Sequence, residues 1–304
     1  MRKKSGPWSG LLRRRLEWTF GAGRMALGAE TKIMGILNVT PDSFSDAKKF
    51  LDPGRAAAHA FRMEREGAHF LDIGAESSRP GARPVSAREE IRRLRPVLKR
   101  LSGKTRIPIS VDTYKYDVAS MALEEGASII NDIYGLRADK RLSRLIAREK
   151  AGVVLMHMQG EPGTMQKNPV YRDVIGEILA VLKGSVDAAL ASGIARSAIV
   201  IDPGFGFGKT VEQNLEILRC LEGFSALRLP VLAGMSRKSF LGKILGSDDR
   251  DRLYGSLGAA AAAIAGGAHL LRVHEVLPHR HLAVIMDMVY GNGTFLKTGE
   301  KRNR

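Results

Sequence analysis

Polar side chains that could bind a ligand recur at regular intervals along the sequence, each time beside the end of a short apolar run. They are Asn38; Asp72 with Glu76; Asp112; Asn131 with Asp132; His157; Asp202; Ser236, Arg237 and Lys238; and Arg272 with His274. A single asparagine or aspartate at such a point is often only a helix cap. Eight such points in phase indicate a ring of ligand-binding groups.

The ring combines side chains suited to two kinds of chemistry. Its carboxylates and amide could match the donors and acceptors of a flat, nitrogen-rich heterocycle: Asp112, Asn131 and Asp202. Its other members suit an anion or a metal–phosphate group: Lys238, Arg272, His274 and Asn38. Two long loops rich in hydroxyl, glycine and proline residues, 38–46 and 74–81, are typical of lids that close over a substrate.

The elements that must position these residues alternate between two types. Short apolar runs predict strands at Ile33–Leu37, His69–Ile73, Ile107–Val111, Ser128–Asn131, Val153–Met156, Ala198–Ile201, Val231–Ala233 and His269–Val273. Helical periodicity separates them, for example at Arg55–Glu66, Ala87–Leu101, Lys115–Glu125, Tyr171–Ala191 and Arg252–Ala265. Eight parallel strands predict an α/β fold of the (β/α)8 TIM-barrel type, although counting alone leaves a doubly wound open sheet possible. Leu16–Thr31 predicts a hairpin that caps the bottom of the barrel.

Length and charge define the expected domain boundaries. The chain has 304 residues and a formal charge of +16, of which residues 1–15 carry +6 and residues 297–304 carry +3. We therefore expect a basic extension over 1–15, one barrel domain over 16–296 and a basic tail over 297–304, with no nucleic-acid partner. No apolar stretch reaches the roughly 18 residues of a membrane span, and no secretory signal pattern is seen, so a cytoplasmic location is the default expectation.

Several other patterns exclude functions. Gly204–Thr210 ends like a phosphate-binding P-loop, but Pro203 stands where that motif needs glycine. His274-Glu275 is followed by His279 one position too late for a metalloprotease helix, and no strand–GxGxxG–helix fingerprint occurs. The single cysteine, Cys220, excludes an internal disulfide and is expected to be a buried helix residue.

Long motifs in a fixed order resemble the dihydropteroate synthases. They are the segments 33–46 (IMGILNVTPDSFSD), 72–81 (DIGAESSRPG), 110–113 (SVDT), 131–132 (ND), 202–209 (DPGFGFGK), 236–239 (SRKS) and 272–274 (RVH). The resemblance covers about residues 16–290. It implies a transferase that joins 6-hydroxymethyl-7,8-dihydropterin pyrophosphate to 4-aminobenzoate in folate synthesis, acts as a homodimer and is inhibited by sulfonamides.

The resemblance also implies a role for each site residue. The pterin would be bound by Asp112, Asn131, Met156, Asp202, Phe207, Gly234 and Lys238. The pyrophosphate would be bound by Asn38, Arg272 and His274, with Asn38 also on Mg²⁺. The 4-aminobenzoate pocket and its lids would include Phe44, Asp46, Ser78, Arg79, Pro80 and Ser239. The implied mechanism is dissociative: pyrophosphate leaves first, and the arylamine attacks a pterin-methyl cation.

Departures from the family pattern keep alternatives open. Ala47 and Lys48 replace two glycines of the first lid, and Ala75 and Ser78 replace the usual glycine and threonine of the second. We expect modest changes in affinity for substrates and sulfonamides. A non-catalytic pterin-binding paralogue and a methyltetrahydrofolate:corrinoid methyltransferase are the rival functions. His274 could bind phosphate or be structural, and His157 is balanced between the two roles.

Overall fold

The computed structural model describes residues 13–40, 52–79, 81–246 and 252–290. Within these ranges the strands are β1 Leu16–Phe20, β2 Gly23–Leu27, β3 Lys32–Asn38, β4 Phe70–Gly74, β5 Ile109–Asp112, β6 Ile129–Asp132, β7 Gly152–Met156, β8 Ile199–Asp202, β9 Leu232–Ala233 and β10 Leu270–Val273. The helices are α1 Pro53–Arg65, α2 Ala87–Leu101, α3 Tyr116–Glu124, α4 Lys140–Arg148, α5 Val174–Ala191, α6 Val211–Arg219, α7 Ser239–Leu245, α8 Arg252–Ala265 and α9 Val276–Val289.

The strands β3 to β10 form one parallel sheet in the order β8-β7-β6-β5-β4-β3-β10-β9. A parallel bridge between Ile201 and Val231 joins the two ends of this order and closes the barrel. Closure excludes the open doubly wound sheet and confirms the predicted (β/α)8 architecture. All eight predicted barrel strands are present, with ends that differ by at most two residues from those expected.

The helices around the barrel are held by apolar faces at helical spacing. In α2, for example, Leu94, Val97, Leu98 and Leu101 are buried, whereas the other faces carry arginine and lysine. The barrel strands are buried along nearly their whole length, as expected for a parallel sheet covered by helices. This rigid frame fixes where each strand ends, and the side chains at the strand ends form the site.

The predicted hairpin closes the bottom of the barrel, as the pattern of Leu16–Thr31 indicated. Trp18, Phe20 and Leu27 pack in one cluster with Met34, Phe70, Ile129, Val154, Val200, Leu232 and Leu270, which come from seven barrel strands. The indole nitrogen of Trp18 donates to the carbonyl oxygen of Ala198 at 3.0 Å. Gly28 is required in the hairpin, because it has φ +98° and a β-carbon there would lie 2.3 Å from the carbonyl oxygen of Arg14.

The prediction for Cys220 was wrong. Helix α6 ends at Arg219, so Cys220 is the residue that follows its last turn, and its side chain is exposed. The neighbouring Ile217 and Leu221 carry the apolar contact instead. The described helices include no segment long and apolar enough to cross a membrane. The domain boundaries at residues 15 and 297 stay a prediction, since 1–12 and 291–304 lie outside the described ranges.

Two histidines at the bottom of the barrel, the buried His269 and the largely buried His69, should make stability depend on pH. His69 and His269 each precede a strand and accept a backbone N–H at Nδ1, from Ile33 at 3.0 Å and from Val231 at 3.2 Å. Burial lowers the pKa of each to about 4 from 6.5. The unfolded chain therefore binds protons that the folded chain rejects, and stability is lost as the pH falls from about 6.5 toward 4.

We expect the free energy of unfolding to fall by about 1 kcal/mol for each of these histidines between pH 7.5 and 5.5. Urea unfolding of the wild type and of His269→Asn, whose amide oxygen can still accept from Val231, checks this at both pH values. The variant should show a smaller loss than the wild type, and the exposed His281→Asn should show the same loss as the wild type. Equal losses in His269→Asn and the wild type would contradict this assignment.

Candidate active site

A cleft at the carboxyl ends of the barrel strands contains part of the predicted ring, namely Asp112, Asn131, Asp202, Lys238 and Arg272. It is lined by Asp112, Asn131, Ile133, Met156, Asp202, Phe205, Phe207, Gly234, Lys238 and Arg272. All seven residues predicted to contact a pterin are in this list. The strand ends are the usual location of active sites in α/β barrels.

Asp72 connects three polar side chains at the strand ends, although the sequence predicted no role for it beyond membership of the ring. Its carboxylate is fully buried and accepts hydrogen bonds from Ser110 Oγ at 2.6 Å and from Asn131 Nδ2 at 3.0 Å. Arg272 Nε donates to it at 2.6 Å. A buried carboxylate needs such partners, and here they fix the orientation of Asn131 and Arg272. A polar residue within the buried run 70–74 was the signal in the sequence.

Arg272 also donates from Nη2 to Asp112 Oδ2 at 2.7 Å. Burial raises the pKa of Asp112, and the charge of Asp72 adds to this, whereas Arg272 opposes it. Asp112 was predicted to bind the pterin and Arg272 the pyrophosphate, but in the structure the two side chains form an ion pair. Both partners of this ion pair line the cleft, so a ligand there would lie beside it.

Lys238 and Asp202 lie on the other side of the cleft. The Lys238 ammonium is 3.8 Å from the centroid of the Phe207 ring, which is a cation–π contact. Burial lowers the pKa of Lys238, with Arg272 adding to the effect and Asp202 opposing it. Asp202 Oδ1 accepts from the backbone N–H of Gly204 at 2.7 Å, and burial raises the pKa of Asp202. One carboxylate, one ammonium and one aromatic ring thus line this part of the cleft.

The glycine-rich segment 203–210, which resembled a P-loop, has a different structural basis. The Lys209 ammonium is buried and contacts His157 Nδ1 at 3.0 Å, the Gly204 carbonyl at 2.8 Å and the Phe207 carbonyl at 3.0 Å. Thr210 caps α6 with a reciprocal capping box. This segment therefore places Phe207 in the cleft, and the hydrogen bond from the Lys209 ammonium to the Phe207 carbonyl oxygen holds it there. This arrangement agrees with the exclusion of a P-loop, which Pro203 had indicated.

The two histidines that the sequence left open differ in their surroundings. Burial, helped by the charge of Lys209, lowers the pKa of His157 to about 2, so His157 is a neutral partner of Lys209. His274 Nδ1 lies 3.0 Å from Ser236 Oγ, and its backbone N–H donates to the same oxygen at 3.2 Å. Burial and the nearby Arg237, Arg272, Lys238 and Arg79 lower the pKa of His274 well below its usual value. A neutral imidazole thus stands among four cations, which is a suitable setting for a phosphate group.

The remaining predicted residues lie at or after strand ends of the barrel where they are described. Asn38 ends β3, Ser78 and Arg79 belong to the loop after β4, and the exposed Ser239 begins α7. Four residues of the first lid, Phe44, Asp46, Ala47 and Lys48, and Pro80 of the second lid lie outside the described residues. Ala75 is fully buried at the base of the second lid, where its carbonyl oxygen accepts from Arg93 Nη1 at 2.9 Å.

A second charged cluster stands behind the loop that carries Ser78 and Arg79. It consists of Glu76, Lys115 and Glu90, and the sequence analysis did not single out the latter two. Glu90 occupies the apolar face of α2, four residues before Leu94, where its side chain is 1% exposed. An acidic residue on the buried face of an amphipathic helix was the available signal.

The fold and the cleft define an α/β-barrel enzyme whose site combines heterocycle-binding carboxylates with an anion-binding cluster. The model of the pterin binding enzyme family matches residues 34–274. The chain therefore belongs to the pterin-binding enzyme family, in its dihydropteroate synthase branch.

Individual relatives match this chain over nearly their whole length. The dihydropteroate synthase of Synechocystis sp. is 43% identical, with 86% of this chain and 91% of the relative covered. The Yersinia pestis dihydropteroate synthase, solved with a sulfonamide drug complex, is 38% identical with a TM-score of 0.86, covering 91% of this chain and 100% of that one. The Xanthomonas albilineans dihydropteroate synthase with 4-aminobenzoic acid is 40% identical with a TM-score of 0.83, covering 91% and 98%.

Proposed function

We propose that the cleft condenses 6-hydroxymethyl-7,8-dihydropterin pyrophosphate with 4-aminobenzoate to give 7,8-dihydropteroate and pyrophosphate. The chain is thus a transferase of folate biosynthesis, like the relatives it matches. The observation that carries the proposal is the convergence of all seven predicted pterin residues on one cleft beside a cluster of cations. The relatives crystallised with 4-aminobenzoic acid and with a sulfonamide drug support the second substrate.

The pterin would lie in the cleft with its ring edges on Asp112, Asn131, Asp202 and Lys238. A heterocycle rich in donors and acceptors needs matched polar partners when it is buried, and these four side chains offer carboxylate, amide and ammonium groups. Phe207 and Met156 would pack against the ring faces, and Gly234 would leave room for it.

The pyrophosphate would lie over Arg272 and His274. If Ser236 Oγ donates to Nδ1 of His274, Nε2 of the neutral imidazole carries the proton and can donate it to a phosphate oxygen. Arg272 offers a planar fork suited to two phosphate oxygens. On binding, it would turn from Asp72 and Asp112 toward the diphosphate.

Mg²⁺ fits this site only together with the substrate. Among the described residues, no group of three or more carboxylate, histidine or cysteine side chains could hold a metal ion. Mg²⁺ commonly takes one or two protein oxygens and completes its shell with water and substrate phosphates, and the Asn38 amide oxygen at the end of β3 can supply one. When bound there, the ion would neutralise charge on the diphosphate.

The proposed chemistry is dissociative. Breaking the bond between the pterin methylene carbon and the diphosphate oxygen leaves its electron pair on the diphosphate and a positive charge spread over the pterin. The Asp112 carboxylate would stabilise that cation, and Arg272 and His274 would stabilise the leaving group. The 4-aminobenzoate nitrogen then forms the new C–N bond and releases a proton. A weakly basic arylamine needs no strong general base for this step.

The aminobenzoate would bind at the mouth between Ser78, Arg79 and Ser239, with Phe44, Asp46 and Pro80 completing the pocket. Ser78 has the hydroxyl of the usual threonine without its methyl group. A modest difference in affinity for 4-aminobenzoate and sulfonamides therefore stays a prediction.

The direct test measures pyrophosphate and dihydropteroate formation with Mg²⁺, with and without 4-aminobenzoate. Equal amounts of both products, dependent on 4-aminobenzoate, are expected. Pterin binding without product would favour the non-catalytic paralogue, and methyl transfer from methyltetrahydrofolate would favour the corrinoid methyltransferase. The cluster of cations around His274 (Arg237, Arg272, Lys238 and Arg79) favours the synthase, because a methyltransferase has no diphosphate to bind.

We also propose a homodimer that uses the face formed by α7, α8 and α9. This face carries large exposed apolar side chains: Ile244, Leu245, Tyr254, Leu277, Ile285 and Val289. Apolar side chains gathered in this way are typical of protein interfaces.

Replacing Ile285 with glutamate should convert the dimer into a monomer, because it puts a charge on the apolar face that the dimer would bury. Light scattering on a sizing column gives the mass. Val170→Glu is the matched control, since Val170 and Ile285 are both 63% exposed and Val170 precedes α5, in a different part of the chain. A monomeric wild type, or an Ile285→Glu variant that remains dimeric, would contradict the proposed face.

The basic segments 1–15 and 297–304 are proposed to be extensions outside the catalytic domain, with no role in binding nucleic acid. A cytoplasmic location is likewise a proposal that rests on the sequence pattern.

A further inference from the structure

We infer that Glu76, Lys115 and Glu90 are positioning residues that hold the loop 75–86 in place for 4-aminobenzoate. The inference rests on the proposed function, because this loop carries Ser78 and Arg79. We refer to the three residues as the loop anchor.

Glu76 closes the loop on itself. Its Oε2 accepts a hydrogen bond from the backbone N–H of Val85 at 2.7 Å, nine residues further along the chain. Its Oε1 accepts from the Tyr114 hydroxyl at 3.1 Å. One carboxylate therefore ties both ends of the loop together and fixes them to the segment after β5. The span that it encloses contains Ser78 and Arg79.

Lys115 connects the loop to helix α2. Its ammonium lies 2.5 Å from Glu76 Oε2 and also pairs with Glu90 Oε1. Glu90 is nearly fully buried and accepts a second hydrogen bond from Thr113 Oγ1 at 3.3 Å. A buried carboxylate without its cation is strongly unfavourable, so Lys115 must stay between the two acids. Burial alone would lower the pKa of Lys115, but its hydrogen bonds to Glu76 and Glu90 outweigh this and raise it.

The segment after β5, which carries Lys115, also adjoins a residue of the pterin cleft. Asp112 ends β5, and Thr113, Tyr114 and Lys115 follow it directly. The aminobenzoate loop is thus anchored to the strand end that offers the pterin carboxylate. None of the anchor residues lines the pterin cleft. Loss of the anchor should therefore displace Ser78 and Arg79 while leaving the pterin contacts in place.

The test compares Glu76→Ala, Glu76→Gln and the control Glu64→Gln. Glu64 is also partly buried and accepts hydrogen bonds from Thr105 Oγ1 at 2.8 Å and from the Arg106 N–H at 3.1 Å, away from the cleft. The Glu64→Gln variant shows how the loss of one such carboxylate affects the fold as a whole. Glutamine at position 76 retains an oxygen for the Val85 N–H but loses the charge that pairs with Lys115.

Two quantities are measured for each variant. They are the KM for 4-aminobenzoate at saturating pterin pyrophosphate, and the Kd for 6-hydroxymethyl-7,8-dihydropterin, which lacks the leaving group. We expect the KM to rise at least tenfold in Glu76→Ala and less in Glu76→Gln, with the Kd within twofold of wild type in both. Glu64→Gln should match the wild type in both quantities.

Two results would overturn the inference. One is an unchanged KM in Glu76→Ala and Glu76→Gln; the other is a rise in KM matched by an equal rise in the pterin Kd. If Glu76→Ala does not fold, the nearly isosteric Glu76→Gln decides between the outcomes. A wild type that forms no dihydropteroate would instead contradict the proposed function, so the two failures are distinguishable.

Discussion

Replacing Asp112 with asparagine is expected to lower kcat/KM for the pterin pyrophosphate by about 10³-fold, or ~4 kcal/mol. Asparagine has nearly the same shape, so the loss reports the charge. In the structure this carboxylate pairs with Arg272 at 2.7 Å, and in the proposed reaction it faces the developing pterin cation. Steady-state kinetics with both substrates varied would measure the effect, and the expected loss is mainly in kcat.

The matched control is Asp132→Asn, at the end of the neighbouring strand β6. Asp132 is fully buried and accepts from the backbone N–H groups of Tyr134 at 2.8 Å and Leu136 at 2.6 Å, so its role is structural. We expect this variant to lose stability but to keep kcat/KM within about fivefold of wild type. An Asp112→Asn enzyme that retains wild-type kcat/KM would refute the role given to this carboxylate.

The Asp112 variant should also change the pH profile. Because burial raises the pKa of Asp112, the carboxylate gains a proton at a higher pH than an exposed aspartate does. Activity that needs the charged form is therefore lost as the pH falls through that raised pKa. The acid limb of kcat/KM should disappear in Asp112→Asn, and its persistence would assign the limb to another group.

Replacing Lys238 with methionine is expected to lower kcat/KM by about 10²-fold to 10³-fold. Methionine can fill the space over the Phe207 ring but supplies no charge to the cleft, where Asp112 and Asp202 both act on the ammonium. The pterin would lose one hydrogen-bond donor, and the diphosphate would lose a nearby cation. Both losses weaken the transition state more than the ground state, because charge separates as the bond breaks.

The control for this variant is Lys243→Met, at an exposed position on α7. Its kcat/KM should equal that of the wild type. Since burial lowers the pKa of Lys238, the ammonium loses its proton at a lower pH than an exposed lysine does. Wild-type kcat/KM should therefore fall on the alkaline side, and Lys238→Met should lack that limb. Wild-type kinetics in Lys238→Met would contradict the assignment.

The architecture could be predicted from the sequence because it is repeated. Eight apolar runs separated by amphipathic stretches leave few arrangements, and each strand end delivers its polar residue to the same rim. The polar residues that line the cleft could be predicted for the same reason, whereas Ile133 and Phe205 were not predicted. The closing bridge between Ile201 and Val231 could not, because one backbone contact between strands 30 residues apart has no local signal.

The contacts among polar residues could not be predicted from the sequence. Asp72, Asp112 and Arg272 are far apart in the chain, and their ion pairs depend on three side-chain conformations that only the assembled barrel determines. The contacts of the loop anchor could not be predicted for the same reason. Lys115 sits at the start of a helix without providing a side-chain cap, and only the fold shows that it lies between two carboxylates.

A crystal structure with 6-hydroxymethyl-7,8-dihydropterin pyrophosphate and Mg²⁺, without 4-aminobenzoate, would show directly whether this cleft binds the pterin and the diphosphate as proposed. We predict a pterin ring within hydrogen-bond distance of Asp112, Asn131, Asp202 and Lys238. Arg272 should have left Asp112 to bind the diphosphate beside His274. A pterin bound elsewhere, or an Arg272 still paired with Asp72 and Asp112 while the diphosphate lies outside the cation cluster, would contradict it.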